Sequence, residues 1–192
     1  MHSHTLLASA VALCLAAAPA EAQRRTTASV PETGELAAGA SIGASLPTDQ
    51  FFGNGVEVAG NIEGYLTRRI SVRGQVGMTW WEIGDLRGAD DMKPMFVTAN
   101  LVYNWEGGQW HPYATAGIGV YRFRFEGDRG DDSDTNGGFN FGGGVEYFID
   151  RRTTITGEVL YHAVGDVRTS GLAFAEGSFW SLMGGLKAYF GR

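Results

Sequence analysis

The chain lacks the cysteines of a disulfide-rich protein and the long apolar runs of a helical membrane protein. Its 192 residues include 1 Cys and 5 Pro, and only 19% are charged. No apolar run reaches the roughly 18 residues that a transmembrane helix needs. The formal net charge is −6 and no basic run is present, which disfavours nucleic acid as a partner. What the chain does have is 29 Gly, about twice the usual share of roughly 7%, which is typical of a Gly-rich β protein.

The N-terminus has the features of an export signal. An apolar segment over residues 6–20 is followed by Ala20-Glu21-Ala22, the small-x-small pattern at which signal peptidase cleaves. Cys14 lies inside this segment, so we expect the mature chain to contain neither a disulfide nor a free thiol. The predicted organisation is a signal peptide at 1–22, a flexible lead-in at 23–34 and one domain at 35–192.

From Leu36 onward, apolar residues alternate with small or polar ones, the pattern of a strand with two different faces. The same period defines eight predicted strands, at 36–46, 55–66, 70–81, 95–105, 110–121, 139–149, 153–164 and 178–190. Short connections alternate with four long ones, which are 47–54, 82–94, 122–138 and 165–177. This arrangement predicts an all-β fold, an eight-stranded antiparallel up-and-down transmembrane β-barrel.

The strand registers can also be predicted, because a slip of one residue moves every apolar side chain to the wrong face. Two hairpins pair symmetrically about Arg68 and Arg151, and a third needs a four-residue connection at 106–109. The predicted pairs are Glu63 with Arg73, Val56 with Trp80, Tyr147 with Ile155, Trp105 with Trp110, and Leu101 with Ala114.

One face of the predicted sheet carries aromatic residues near the strand ends and aliphatic residues between them. Amphipathic rings are most stable at the two interfaces of a bilayer, so this face is predicted to contact lipid. A soluble barrel with this face inside is the alternative, but an eight-stranded lumen has little room for so many rings. The predicted aromatic girdle consists of Trp80, Trp105, Trp110, Trp180, Tyr103, Tyr147, Tyr161 and Phe190.

The opposite face is polar and is predicted to line the lumen. Unpaired buried ions are costly, so acids and bases in such a narrow interior are expected to pair. We interpret this set as a structural ion-pair plug, and a gated pore of low conductance is the alternative. The predicted lumen network consists of Glu57, Glu63, Arg73, Glu146, Glu158, His162 and Lys187.

Three stretches resemble the bacterial outer-membrane β-barrel domain family, the eight-stranded barrels like OmpX and the transmembrane domain of OmpA. HPYATAGIGV at 111–120 looks like the family's PY…GxG strand, and FNFGGGVEY at 139–147 looks like its FNxGxG strand. The last strand, 183–190, is similar to the signal read by the barrel-insertion machinery. The resemblance covers about residues 35–190 and implies a location in the cell outer membrane with both termini in the periplasm. It also implies three partners: outer-membrane lipid, lipopolysaccharide and, during biogenesis, the insertion machinery.

Three other motifs bear on a chemical function. Barrel lipid A deacylases carry a serine two residues after a histidine, but the residue two positions after His162 is Val164, and valine cannot act as a nucleophile. The stretch Asp132–Gly137 copies the first half of an EF-hand loop but lacks the second half, which favours a solvated acidic loop over a weak divalent-ion site. Arg129-Gly130-Asp131 is a short adhesion-like match expected by chance. We therefore assign no catalytic, cofactor-binding or metal-binding residue.

The sequence as a whole predicts a non-catalytic outer-membrane protein. Its expected role is structural or a surface interaction through four long extracellular loops, with an extracellular partner that the sequence does not identify. The alternatives are a narrow low-conductance channel, an outer-membrane lipid-modifying enzyme and a soluble periplasmic binding barrel.

Overall fold

A computed structural model of the chain describes residues 31–49, 52–83, 89–105, 107–127, 132–169 and 172–190. The predicted signal peptide, most of the predicted lead-in and Arg129-Gly130-Asp131 lie outside the described residues. Within these ranges, no helix is long and apolar enough to cross a membrane.

The described chain is built from antiparallel strands that are joined in sequence order. The strands are β1 Leu36–Pro47, β2 Phe52–Tyr65, β3 Ile70–Ile83, β4 Ala89–Asn104, β5 Trp110–Gly127, β6 Asp132–Phe148, β7 Thr153–Val164, β8 Asp166–Thr169, β9 Leu172–Glu176 and β10 Phe179–Phe190. Eight of them form a closed barrel in the order β1-β10-β7-β6-β5-β4-β3-β2, and the other two, β8 and β9, form a small separate sheet. This confirms the predicted fold class.

The first and last strands close the barrel. β1 and β10 pair along their whole length, from Leu36 opposite Phe190 to Pro47 opposite Phe179. β1 also pairs with β2 on its other side. The cylinder therefore has no free edge along the length that these strands share, which satisfies the backbone groups that lipid cannot hydrogen-bond.

Two of the three predicted hairpin registers are confirmed. Glu63 lies opposite Arg73 and Val56 opposite Trp80, while Tyr147 lies opposite Ile155. These turns are short, so the symmetric pairing deduced from the sequence is the one that forms.

The predicted register between β4 and β5 is wrong by two residues. Leu101 lies opposite Ala116 rather than Ala114. The turn explains the shift: the Trp105 amide donates to the Pro112 carbonyl at 2.9 Å, whereas the Trp110 amide donates to Gly107 inside the turn. Trp105 and Trp110 are therefore not opposite one another. A two-residue shift leaves every side chain on its predicted face, so the lipid and lumen assignments are unaffected.

The predicted long loops are mostly strand. β4 begins at Ala89, β5 continues to Gly127 and β6 begins at Asp132, so little of the predicted loops 82–94 and 122–138 is left. Apolar and polar residues still alternate in these segments, but the apolar residues now point into the lumen and the polar ones outward. Tyr121 and Phe123 are buried while Arg122 and Arg124 are exposed, because the outer surface there no longer has to match lipid. The predicted loop 165–177 likewise contains β8 and β9.

One side of the barrel is taller than the other as a result. The last pair between β6 and β7 joins Gly138 to Val164, so six residues of β6 continue beyond the end of β7. At about 3.4 Å per residue this is an overhang of about 20 Å along the strand. We call residues 89–94, 121–127 and 132–137 the strand extension.

A pair of glycines on β3 tests the assignment of the two faces. A Cβ on Gly77 would collide with the ring of Phe96 in the lumen, whereas a Cβ on Gly74 would meet nothing within 4 Å. Gly77→Val is expected to lower the free energy of unfolding by about 1 to 3 kcal/mol through overpacking. Gly74→Val, the matched control, is expected to cause no loss. Urea unfolding in lipid vesicles measures both, and equal losses would contradict the assignment.

Candidate functional site

The candidate site is the interior of the barrel, because its charged side chains converge there. The start of β1, the end of β10 and the short connections 66–69, 105–109 and 149–152 lie at one end of the barrel, which we call the terminal end. The strand extension lies at the opposite end, which we call the extension end. Each inward side chain comes from a strand position one residue away from a lipid-facing one, since strands alternate.

An ion-pair network occupies the part of the lumen nearer the terminal end. The Arg73 Nε donates to Glu63 Oε2 at 2.9 Å, and Arg73 Nη1 pairs with Glu158. Lys187 Nζ donates to the same Glu63 oxygen at 2.7 Å and also pairs with Glu146. Two cations thus link three carboxylates that belong to β2, β6 and β7. All five side chains are at most 10% exposed, so each partner compensates for the lost hydration of the other.

Hydroxyl groups complete the network. Tyr113 donates to Glu158 at 2.7 Å, Ser71 donates to Glu63, and Tyr189 donates to Glu146. The Tyr65 and Tyr189 hydroxyls are 3.1 Å apart, so Tyr65 can donate to the oxygen of Tyr189. These hydroxyls were not identified from the sequence. The signal was present, because each occupies an inward position of the alternating pattern.

A small cluster lies between the network and the terminal end. It consists of Ala37, Tyr65, Phe148 and Tyr189, all at most 3% exposed. We call it the terminal plug. Tyr65 and Tyr189 belong to both the plug and the hydrogen-bonded network, so this seal is attached to the ion pairs.

Glu57 and His162 belong to the predicted lumen network but do not join these ion pairs. Glu57 is fully buried and accepts hydrogen bonds from Ser181 at 2.6 Å and Thr79 at 3.5 Å. Its Oε1 has no hydrogen-bond partner among the described residues. His162 Nδ1 lies 2.9 Å from the hydroxyl of Tyr121 and its ring stacks on Phe179 with centroids 4.4 Å apart.

An aromatic plug fills the lumen near the extension end. Its largest side chains are Trp81, Phe96, Tyr121, Phe123 and Phe179, none more than 1% exposed, and Met92 and Val164 complete it. This plug was not predicted, because the inward face was interpreted as polar throughout. The sequence signal for it is two pairs of adjacent aromatics, Trp80-Trp81 and Phe179-Trp180, since neighbours on a strand point to opposite faces.

The predicted girdle residues all lie on the outside of the barrel. Trp80, Tyr161 and Trp180 are near the extension end, and the Tyr161 and Trp180 ring centroids are 4.9 Å apart. The other five are near the terminal end: Tyr103, Trp105, Trp110, Tyr147 and Phe190. Between these levels the surface is aliphatic, with Ile118 72% exposed and Ile62 67% exposed.

The remaining motifs do not form a chemical site in the described structure. The stretch Asp132–Gly137 is part of strand β6 rather than the predicted acidic loop, and Asp134 accepts hydrogen bonds from the Thr135 amide and the Asn136 side chain. The described residues contain no group of three or more His, Cys, Asp or Glu side chains placed to hold a metal ion. Val164 is buried in the aromatic plug, two residues from His162.

A closed eight-stranded barrel with an aliphatic exterior and a lumen of ion pairs is an outer-membrane β-barrel protein. The family model for the outer membrane protein beta-barrel domain matches residues 7–177, and the chain belongs to that family. The family places the protein in the outer membrane. Comparison with curated protein sequences gives no match.

Solved structures of eight-stranded outer-membrane barrels share this fold. Neisserial surface protein A superposes with a TM-score of 0.68 at 17% identity, over 82% of this chain and 99% of that one. OprG of Pseudomonas aeruginosa gives 0.67 at 14% identity, over 84% and 98%. Ail of Yersinia pestis gives 0.58 at 15% identity, over 82% and 99%. At these identities the likeness concerns the fold alone.

Two buried glutamates on β2 provide a matched test of the network. Glu63→Gln removes the carboxylate shared by Arg73 and Lys187. Each cation keeps one carboxylate partner but loses a charge-assisted hydrogen bond, and we expect a loss of about 1.5 to 3 kcal/mol in unfolding free energy. Glu57→Gln removes a carboxylate without a cation partner in the described structure, so stability should be unchanged or higher. Urea unfolding in vesicles measures both. A network without a stabilising role would give equal values for the two variants.

Proposed function

We propose that this protein is a sealed, non-catalytic outer-membrane barrel that displays its strand extension on the cell surface. The observation that carries the proposal is the filled lumen, in which the ion-pair network lies between two plugs. The barrel is the anchor, and the extension is the part available to partners. In this proposal the terminal end faces the periplasm and the extension end faces outward.

The packing of the lumen supports a sealed barrel over a channel. Beside Arg73, Tyr113 and Glu158 there is a cavity of about 10 Å³. That is about the smallest space that holds one water molecule, far less than a hydrated ion needs. The aromatic plug borders the network on the side of the extension end, and the terminal plug borders it on the other side. The charged groups of this lumen therefore contact one another rather than a continuous column of water.

The same interior supports a role without catalysis. The carboxylates of Glu63, Glu146 and Glu158 are paired with Arg73 and Lys187. His162 packs against aromatic rings of the plug. A lipid-modifying reaction needs an activated nucleophile at the membrane edge. His162 is fully buried instead, and its hydrogen bond goes to Tyr121.

The extension supports a surface role. The Ail structure is that of an attachment invasion locus protein, and it has also been solved with the heparin analogue sucrose octasulfate. In the present chain, residues 126–134 contain five acids and one base. A polyanion of that kind is disfavoured here, and a partner with a neutral or basic surface suits this end better.

Conductance tests the sealed lumen. The full chain, folded and inserted into a planar bilayer, is expected to give no stepwise current, because buried side chains of the two plugs, none more than 5% exposed, occupy the lumen on either side of the ion-pair network. A general porin inserted under the same conditions is the control for detection. Electrophoresis in SDS of boiled and unboiled samples shows whether the barrel is folded, because a folded barrel changes its mobility on boiling. Reproducible current steps from the folded barrel would contradict the proposal and favour the channel.

Surface labelling tests the orientation. Single cysteines are introduced at Thr135, which is exposed on the extension, and at Arg68, which is exposed in a short turn. A membrane-impermeant maleimide added to intact cells is expected to label Thr135→Cys, because the extension faces outward. Arg68→Cys, the matched control, should react only after lysis. The reverse pattern would show that the extension faces the periplasm.

A further inference from the structure

We infer that the small sheet of β8 and β9 covers the edge of β6 in the strand extension and keeps that edge from pairing with a second copy of this chain. The inference does not depend on which way the extension faces. It goes beyond the proposed surface role, because it identifies a part of the extension that is closed to partners.

The first observation is that β6 continues beyond the strand on one of its sides. β6 pairs with β5 as far as Asp132, whereas its pairing with β7 ends at Gly138 opposite Val164. Among the described strands, residues 132–137 are therefore hydrogen-bonded to a neighbouring strand on the β5 side only. We call their other side the β6 edge. A strand edge that nothing covers presents a row of backbone donors and acceptors to which another chain can add.

The second observation identifies backbone groups that point to the β6 edge. The Ser178 hydroxyl accepts a hydrogen bond from the Val164 amide and donates one to the Val164 carbonyl, both at 3.2 Å. These two groups of Val164 therefore point toward β10, and those of Ala163 point toward β6, because successive residues of a strand alternate. Ala163 lies opposite Phe139. Every second residue of β6 from Phe139 onward, including Thr135, thus directs its amide and carbonyl to this side.

The third observation is a contact that already occupies the middle of the β6 edge. The Thr135 amide donates to one oxygen of the Asp134 carboxylate at 2.9 Å, and the Asn136 side chain donates to the other oxygen at 3.0 Å. A strand that pairs here must displace this carboxylate from the Thr135 amide and accept a negative charge beside its own backbone. Charged side chains at an edge are one means by which proteins disfavour such pairing.

The fourth observation is that a segment of the same chain lies beside the β6 edge. β8 begins at Asp166, one residue after the end of β7, and it packs against β6. Because β7 ends opposite Gly138, the part of β6 beside β8 is the part that lies in the strand extension. β8 is hydrogen-bonded to β9 and forms no ladder with β6. The small sheet therefore obstructs the edge without extending the barrel sheet.

A second copy of this chain is the partner that an uncovered β6 edge would meet. Copies of an outer-membrane barrel share one plane and one orientation, so their extensions lie at the same height. Two uncovered β6 edges would then face each other at the same level. Pairing between strand edges relies on main-chain hydrogen bonds, so it requires no complementary side chains.

A different role for the small sheet is to cover apolar side chains of the extension. Tyr121 and Phe123 are fully buried at the same end of the barrel. Loss of an apolar cover would also cause association, but through side chains rather than through the β6 edge. The two roles differ in whether the association depends on the backbone amide of Thr135.

The test uses the full chain folded in detergent micelles, with self-association measured by analytical ultracentrifugation. In the shortened variant, a short Gly-Ser linker replaces residues 166–176. In the matched control, the same linker replaces residues 84–88, which connect two strands that pair with each other as far as Glu82 and Asp91. The shortened variant is expected to self-associate about tenfold more strongly than the wild type, the equivalent of one or two net backbone hydrogen bonds. The control should match the wild type.

Thr135→Pro in the shortened variant is the second arm of the test. Proline is tolerated on an edge strand and removes an amide that points to the β6 edge, so self-association should return to the wild-type level. Association that Thr135→Pro leaves unchanged would assign the small sheet to covering apolar side chains and would overturn the inference. A folded shortened variant that associates no more strongly than the wild type would overturn it as well.

Electrophoresis of boiled and unboiled samples shows whether each variant is folded. If the shortened variant does not fold, flexible Gly-Ser insertions at Gly165 and Gly177 release the same sheet without deleting it. The lengthened variant must then associate more strongly than the wild type and lose this association with Thr135→Pro, and failure of either result contradicts the inference. Labelling and conductance test the proposed function separately.

Discussion

The structure depends on one constraint, which is that lipid offers no hydrogen bonds to a peptide backbone. A sheet in a bilayer must therefore close, and the pairing of β1 with β10 achieves this along both strands. Closure with eight strands then fixes the width of the lumen, which is only large enough for side chains. The outer face can be apolar without a core beneath it because lipid replaces the core. The inner face must consequently supply the packing and the polar contacts that a soluble protein would divide between its interior and its surface.

The interior meets this demand by separating its chemistry into layers. Charged groups lie where carboxylates and cations reach each other across the lumen, as Glu63 does with both Arg73 and Lys187. Rings lie near the extension end, where the inward positions include Trp81, Phe96 and Phe179. Tyrosines connect the two kinds of layer because each has an apolar ring and a polar hydroxyl. The lumen thus has ion pairs in its middle and apolar rings toward both of its ends.

Much of this fold could be predicted from the sequence, because membrane strands alternate strictly and the symmetric turns fix the register. The pairing of Glu63 with Arg73 follows directly from that symmetry. The pairing of β4 with β5 did not, since the hydrogen bonds inside the 105–109 turn decide it and no side-chain pattern reports them. Most of the extension was predicted as loop because the alternation changes its sense there. Tyr121 and Phe123 point inward and Arg122 and Arg124 outward, whereas the apolar residues of the lipid-facing strands point outward. Tyr113 and Ser71 occupy inward positions of the same alternation, but the pattern does not report which carboxylate each hydroxyl contacts.

The ladder between β1 and β10 also determines the order of events during folding. Each hairpin joins neighbours in sequence and can form as soon as its turn is made, but Leu36 and Phe190 are separated by nearly the whole chain. Contacts of such high sequence separation form slowly, since the entropy of closing the loop is lost before the contact compensates for it. Until the final strand is complete, the outermost strands present unpaired edges that can add to other chains. The pairing of β10 with β1 therefore removes the last two unpaired edges of the cylinder, and with them the tendency of its sheet to add to other chains.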